Sequence, residues 1–240
     1  MRIILYNMRY GTGGGFCLPW QGYLRQTTPN VNAIAGFLKD LTPDIVGLVE
    51  VDAGSFRYRR FHQAEELAQQ LGHYHCYQTK YGKGSWLHHV PVLNKQGNAF
   101  VTRDTIHNSQ FHFFKKGMKR LVIELELEGI TVFLVHLALK YRVRHQQMSE
   151  LYDLVKSTQK PHLVIGDFNA FLGPKEMNLF LGATGMQNAN AEGAPTFPSW
   201  QPKKELDFIF YSAGIHVRDF SIPHVQYSDH LPLVLDFDLT

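Results

Sequence analysis

Sulfur is scarce in this chain. Its 240 residues include two cysteines, Cys17 and Cys76, too few for a disulfide framework and in no metal-ligand spacing. A chain of this size with so little sulfur fits a reducing compartment. No apolar run approaches the roughly 20 residues of a membrane-spanning helix. Residues Met1 to Asn7 lack the charged-then-apolar layout of a signal peptide and read as a strand. No long Pro/Gly/Ser linker, low-complexity tract or fixed-period repeat interrupts the chain. These absences lead to the expectation of a cytoplasmic protein without a transmembrane segment, a monomer, with one domain over residues 1–240. Neither sign of charge dominates: 24 Lys and Arg face 21 Asp and Glu, for a net charge of +3. An anionic partner is allowed but not demanded. A G-x-S-x-G elbow and a plausible cysteine nucleophile are both missing, which argues against acyl transfer.

What is present is enough apolar residue for a substantial core, 44% hydrophobic with 13% aromatic. The stretch His162-Leu163-Val164-Ile165-Gly166-Asp167-Phe168-Asn169-Ala170 organises the rest. Its apolar run predicts a strand buried on both faces. Period-two geometry then turns Asp167 and Asn169 to one side and Phe168 into the packing. A lone D-x-N is more simply an Asx turn.

Along the chain, strands are expected at Arg2–Tyr6, Asp44–Val49, His73–Thr79, Gly97–Thr102, Leu206–Tyr211 and Leu233–Phe237. A hairpin turning at Glu128-Gly129 joins Arg120–Glu128 to Ile130–Leu139. Helices are expected over Val31–Leu41 with Asn30 as its cap, Gln63–Leu71 closed by Gly72, about Arg144–Lys156, and Pro174–Leu181. Nine or ten strands exceed a comfortable single open sheet, so the fold class is α/β with two packed mixed sheets flanked by helices.

Polar residues interrupt or end these apolar strands at Asn7, Glu50, His136, Asp167, Asn169, Asp207, Asp229 and His230. Each has an ordinary explanation as a turn, surface or core residue, and with 13 histidines any single one is weak evidence. Their common position at strand ends is harder to dismiss, because α/β architectures carry functional groups on that edge. Glu50, Asp229 and the Asn7 amide are hard oxygen donors without a thiolate, as Mg²⁺ or Mn²⁺ requires. Histidines and further carboxylates remain to move protons. The inventory suits metal-assisted hydrolysis of a phosphate ester.

Six segments carry a resemblance: Tyr6-Asn7, Val49-Glu50-Val51-Asp52, Val135-His136-Leu137, Gly166-Asp167-Phe168-Asn169, Leu206-Asp207-Phe208-Ile209 and Ser228-Asp229-His230. In order and approximate spacing they resemble the endonuclease/exonuclease/phosphatase superfamily, over nearly the whole chain. The resemblance implies a four-layered α/β sandwich like that of deoxyribonuclease I. It also implies Glu50 as the main metal ligand, helped by Asn7 and Asp229, with Asp207 and His230 as the acid–histidine pair that activates water. Asp167 resembles the residue that positions the nucleophile or protonates the leaving group, and Asn169 and His136 resemble donors to the phosphate oxygens.

Departures bear on substrate. The W-C-D-R of inositol phosphatases is absent, since Trp200 lies apart from Asp207, and no arginine follows Asn169. Asp52 stands where abasic-site endonucleases tend to carry a lysine, and His136 where they carry a tyrosine. The first weakens the abasic-site reading, and the second points toward the deoxyribonuclease and sphingomyelinase side. The stretch that would hold a carboxylate behind His136 offers Gln78 and Thr79 instead.

Basic residues gather in loops: Arg57-Tyr58-Arg59-Arg60-Phe61, Lys115-Lys116 with Lys119-Arg120, Lys140-Tyr141-Arg142-Val143-Arg144, and Lys203-Lys204. Several follow the polar strand ends, so Arg57, Arg120 and Arg142 are expected to contact an anionic substrate, with Tyr58 and Tyr141 free to stack on bases. The alternative is an ordinary solvated surface. The pairs His73-x-His75 and His88-His89 read as core or surface histidines before they read as a second metal site. The expected function is Mg²⁺- or Mn²⁺-dependent hydrolysis of phosphodiesters, nuclease-like in chemistry, with an anionic phosphate-ester substrate that includes nucleic acid. A phosphomonoesterase or phospholipid head-group hydrolase is the alternative, and a non-catalytic binding module on the same fold ranks last.

Overall fold

The structure is a computed structural model that describes residues 1–15, 26–80 and 90–240. Its strands are apolar where they lie central and polar where they lie at an edge, and that distribution sets the architecture. In β1 (Arg2–Asn7) Ile3 and Leu5 face one side, Ile4 and Tyr6 the other, and all four are fully buried. The same holds for β2 (Ile45–Asp52), β7 (Thr131–His136) and β8 (His162–Asp167). Strands apolar on both faces need cover on both.

That cover comes from the second sheet on one side and helices on the other. With β3 (Tyr74–Thr79), β4 (Gln96–Thr102), β11 (Ile215–Ser221) and β12 (Leu233–Leu239), the first sheet runs in the order β11-β12-β1-β2-β4-β3. Adding β5 (Asn108–Phe113), β6 (Leu121–Glu126), β9 (Gln187–Asn188) and β10 (Asp207–Tyr211), the second runs β5-β6-β7-β8-β10-β9. Between the sheets lies a core that includes Ile3, Leu5, Phe100, Leu134, Ile165 and Leu235. Each such fully buried Leu or Ile contributes roughly 1.5–3 kcal/mol. Outside the first sheet, Ile34 and Leu38 of α1 (Thr28–Leu41) and Leu67 of α2 (Gln63–Leu71) pack on Ile4, Val46 and Leu48. Outside the second, Met148 and Leu151 of α3 (Tyr141–Val155) and Phe180 of α4 (Asn178–Thr184) pack on Phe133, Val164 and Phe210. The result is the expected four-layered sandwich.

The pairings that matter most are parallel, β1 with β2 and β7 with β8. Both pairs end on the same edge, where α/β sheets carry their ligands.

Several details differ from expectation. Twelve strands are formed among the described residues, and the three that the sequence did not announce, β5, β9 and β11, are all edge or near-edge strands with polar, weakly patterned sequences. Asn30 does not cap α1. The helix begins at Thr28 behind Thr27, and the Asn30 amide instead donates to the carbonyls of Gly11 (3.1 Å) and Tyr227 (2.7 Å). α3 starts three residues early, at Tyr141. The Pro174 segment is a 3₁₀ turn, Pro174–Met177, running into α4. No helix among the described residues is long and apolar enough to cross a membrane.

Candidate active site

Gly166 is where β8 is shaped to deliver its polar end. Its φ of +153° and a Cβ position only 2.0 Å from the Val135 carbonyl oxygen leave no room for a side chain. The strand is thus drawn tightly against β7, and Asp167 falls level with His136. Across the other ladder, Asp167 is level with Asp207 of β10.

Asp167 is the hub of the site. Its Oδ2 accepts from Asn7 Nδ2 (3.1 Å), lies 3.2 Å from His136 Nε2 and stands 4.0 Å from His230 Nε2. Its Oδ1 accepts from the Asn169 backbone N–H (3.0 Å). The Asx turn and the functional placement therefore coexist. Burial pushes the Asp167 carboxyl up, but His136, His230 and Lys119 outweigh it and hold it well below the usual carboxylate range. Asn169, in left-handed conformation at φ +52°, gives one amide hydrogen to the Leu137 carbonyl (2.9 Å) and keeps the other. Phe168 turns away to stack edge-on against Phe208 and Phe210, as expected.

Asp207 and His230 form a buried pair. Asp207 Oδ2 lies 2.7 Å from His230 Nδ1 and accepts from the Thr196 hydroxyl (2.6 Å), while Oδ1 has no partner among the described residues. Burial raises the Asp207 carboxyl against the pull of His230. Burial lowers His230, but Asp207, then Asp167 and Asp229, override it and push the imidazole up to about 10. The Phe197 ring packs 4.9 Å from the imidazole and holds its plane.

Glu50 reaches the site through an irregularity. The β2–β4 register shifts between Leu48 and Val51, and Glu50 takes φ +58°, a local cost that a β-bulge uses to re-aim a side chain. Glu50 Oε1 lies 3.7 Å from Lys80 Nζ, 3.9 Å from His136 Nδ1 and 4.0 Å from Lys119 Nζ. Burial would raise its carboxyl, and Lys80, Lys119 and His136 instead bring it down to about 2. Lys80 is itself lowered to about 8, by burial and by Lys119, against Glu50. His136 falls to about 4, through burial and then the two lysines. Its Nε2 also meets Lys119 Nζ, while its Nδ1 has no hydrogen-bond partner among the described residues. No carboxylate comes from the Gln78–Thr79 stretch, since the Gln78 amide oxygen accepts from Thr79 N–H (3.0 Å).

Asp229 pairs with Arg9 (Nε to Oδ2, 3.2 Å), is raised by burial, and feels the charge of Glu50. Thus Asn7 and Glu50 of the first sheet and His136, Asp167 and Asp207 of the second meet at one end of the sandwich, and Asn169, Asp229 and His230, expected at strand ends, reach it from the adjoining loops. Lys80, Lys119, Thr196 and Arg9 join them without having been singled out there. Lys119 was visible as one of a basic pair, but one residue's offset made it, and not half-buried Arg120, the member that reaches the centre. Thr196 lies outside any strand and carried no signal.

One of the expected substrate contacts is engaged elsewhere. Arg57 is 3% exposed and holds Asp52 through Nη2 (2.7 Å) and Nε (3.1 Å), with the Tyr10 ring 5.1 Å away. Tyr58 is buried in the core under the first sheet, which corrects the idea that it stacks on bases. Arg142 is exposed on the first turn of α3, beside exposed Tyr141. His73 is bound to two backbone carbonyls, of Leu71 (2.8 Å) and Pro43 (2.9 Å), which suits the structural reading. His88-His89 and Cys17 lie outside the described residues.

Glu50 is the best-prepared cation ligand of the set. It is ionised and mostly enclosed, and no described residue donates it a hydrogen bond within 3.5 Å, so both oxygens are available. A hard divalent ion fits such a donor set, with Asn7 and Asp229 offering further oxygens. Asp167, Asp207 and His230 also bring one ligand atom each within 4.8 Å of one another.

Two packed mixed sheets between helices, with the polar residues gathered on one edge, constitute the deoxyribonuclease I-like architecture. The chain belongs to the Endonuclease/Exonuclease/phosphatase family, whose sequence model matches residues 4–230. A UPF0294 protein of Yersinia pseudotuberculosis is 28% identical over 149 residues, 61% of this chain and 50% of that protein. The match thus spans about half the length of that curated relative. Among solved structures, the human nocturnin catalytic domain with bound sulfate superposes with a TM-score of 0.72 at 22% identity, covering 100% of this chain and 93% of that one. A mannosyl-6-phosphatase of Bacteroides thetaiotaomicron gives 0.74 at 14% identity, covering 100% of each. At these identities the likeness is one of fold.

Proposed function

We propose that this protein hydrolyses phosphate esters with the help of Mg²⁺ or Mn²⁺. The observation that carries the reading is the convergence on Asp167 of Asn7, His136 and His230, beside an ionised Glu50 with free oxygens. Glu50, with Asn7 and Asp229, would hold the ion, which supplies positive charge to the phosphoryl oxygens and lowers the proton affinity of nearby His230. The chain's own residues do the rest. His230 Nε2 takes the proton of the attacking water, and Asp207 with Thr196 fixes the imidazole through Nδ1. Asp167, kept ionised by His136, His230 and Lys119, orients the nucleophile. The remaining amide hydrogen of Asn169, together with His136 and Lys119, meets the charge that builds on the phosphoryl oxygens. The bond from Asp207 Oδ2 to His230 Nδ1, steadied by the Thr196 hydroxyl, supports a proton-handling role for that pair.

For substrate, a small phosphate ester, with a monoester first, is the better-supported reading. Two enclosed ammonium groups, Lys80 and Lys119, beside a bound divalent ion give more positive charge than a singly charged diester calls for. Two arginines counted toward a nucleic-acid rim are spent in ion pairs, Arg57 with Asp52 and Arg144 with Glu176. The nuclease reading stays second, favoured by the exposed Arg59, Arg60, Lys115, Lys116, Lys203 and Lys204. The test is a parallel assay with Mg²⁺ on p-nitrophenyl phosphate, bis-p-nitrophenyl phosphate, sphingomyelin and plasmid DNA. Preference for the monoester is expected. Turnover of DNA that greatly exceeds that of both chromogenic esters would restore the nuclease reading, and no turnover of any ester would end the hydrolase reading.

A further inference from the structure

Next to the centre lies a cavity of about 530 Å³, within the range of small-molecule pockets. One wall is apolar: Met118, Ala138, Leu139 and Val143. Met118 is 61% exposed and Leu139 60%, so two large apolar side chains stand open to solvent at its mouth. The other side is polar, with Lys80, Lys119, Lys140, Tyr10 and Gln96, and there the Lys80 ammonium donates to the Tyr10 hydroxyl (2.9 Å), which donates to the Gln96 side chain (3.1 Å). Lys80 and Lys119 are the same residues that flank Glu50, so the cavity opens directly onto the candidate catalytic centre.

These walls are built in place. The buried Gln147 amide donates to the carbonyls of Lys116 (2.9 Å) and Lys119 (2.6 Å) and accepts from the Ala138 N–H (2.8 Å). One side chain of α3 thereby ties the Met118–Lys119 loop to the Ala138–Leu139 loop. Gly117, at φ +103°, lets the first loop come this close, since a Cβ there would sit 2.8 Å from the Gln147 amide nitrogen. Arg144 fixes the second loop by donating to the carbonyls of Ala138 (3.0 Å) and Leu139 (2.9 Å).

We infer that this cavity is the pocket for the ester group of the substrate, and that it selects small phosphate esters whose ester group presents an aromatic ring, an aryl group or a nucleoside base, to the apolar wall. The inference rests on the phosphate-ester reading of the adjoining centre and adds to it the chemistry of the leaving or retained group. A phosphate seated by Lys80 and Lys119 directs its ester oxygen toward the Met118–Leu139 wall. A ring placed there covers apolar surface now open to water. A sugar carries hydroxyls around its whole ring, so those turned to Met118, Leu139 and Val143 would be buried without a partner, while Tyr10 and Gln96 could serve only the opposite side. The volume fits one ring system and not a pair of acyl chains. A nucleoside and a simple aryl group share this chemistry, and the experiment separates them.

The experiment measures equilibrium binding of 1-naphthylphosphonate and methylphosphonate to the whole chain with Mg²⁺. In parallel it measures kcat/KM for 1-naphthyl phosphate, adenosine 5′-monophosphate and mannose 6-phosphate. The expected result is naphthylphosphonate binding about 10- to 100-fold tighter than methylphosphonate, the worth of burying one aromatic face, and a preference of similar size for the ring esters over the sugar ester. The double variant Met118→Ser, Leu139→Ser should shrink both ratios to within about threefold of one, chiefly through KM. Equal binding of the two phosphonates, or a ratio that survives the double substitution, overturns the proposal. A tighter adenosine than naphthyl ester identifies the ring as a nucleoside, and the reverse identifies an aryl group. Ring-selective binding without hydrolysis of any ester keeps the pocket and rejects the hydrolase reading, so the two failures are distinct.

Discussion

Asp207 lies directly across the antiparallel β8–β10 ladder from Asp167, and His230 bridges the two carboxylates, with Nδ1 2.7 Å from Asp207 and Nε2 4.0 Å from Asp167. Like charges facing each other across a ladder are unfavourable, and here the imidazole stands between them, hydrogen-bonded to Asp207. The pair is also arranged for proton transfer. His230→Ala should lower kcat/KM on p-nitrophenyl phosphate by several orders of magnitude, given the ~10²–10⁴-fold of one general base plus lost contacts. Asp207→Asn should cost less and leave the circular dichroism spectrum unchanged. A His230→Ala protein with near-normal turnover would sink this assignment.

The oxygen-only donor set around Glu50 leads to a metal requirement. EDTA should abolish turnover, and Mg²⁺ or Mn²⁺ should restore it. Glu50→Gln should weaken Mn²⁺ binding, measured by paramagnetic relaxation of water, at least tenfold. Turnover that resists EDTA, or that only zinc restores, would contradict the ligand set.

Arg57 and Arg142 should behave differently on substitution. Arg57 is buried against Asp52, so Arg57→Met strands a buried carboxylate and should cost about 3–5 kcal/mol in urea unfolding. Arg142 is exposed, and Arg142→Ala should change stability by less than about 0.5 kcal/mol. Equal effects on stability would mean that the Asp52 pair is not formed in solution.

Arg2 and Asp236 are level across the β1–β12 ladder and meet in two hydrogen bonds, Nε to Oδ1 (2.8 Å) and Nη2 to Oδ2 (2.7 Å). The bond to Arg2 depresses the Asp236 carboxyl. A depressed carboxyl stabilises the fold above its unfolded pKa and loses that contribution as pH falls through the folded value. Arg2→Met should therefore cost about 1 kcal/mol at pH 7, modest because the pair is partly exposed. The difference from the parent should fade below about pH 4. A gap that persists into strong acid would assign the cost to lost packing rather than to the ion pair.

The sequence by itself determined the layers and the polar edge. Runs such as Ile3-Ile4-Leu5-Tyr6 and Leu163-Val164-Ile165 are apolar at every position, and only a strand covered on both faces satisfies that. Gly72 closes α2 in left-handed conformation where a helix stop was expected, because local backbone preference acts without tertiary help. The polar residues that end or follow those strands were legible for the same local reason. The edge strands were not, since a polar strand such as Asn108–Phe113 pairs only because β6 is there to receive it. Which cations serve the centre was likewise a tertiary decision. Arg57 and Lys80 both follow a polar strand end by a few residues. A buried Asp52 captures the first, while the second points past Tyr10 toward Glu50. Charge is written in the sequence residue by residue, but its partner is fixed only where chain segments far apart in number come within a few ångströms, and Coulomb energy depends on that distance.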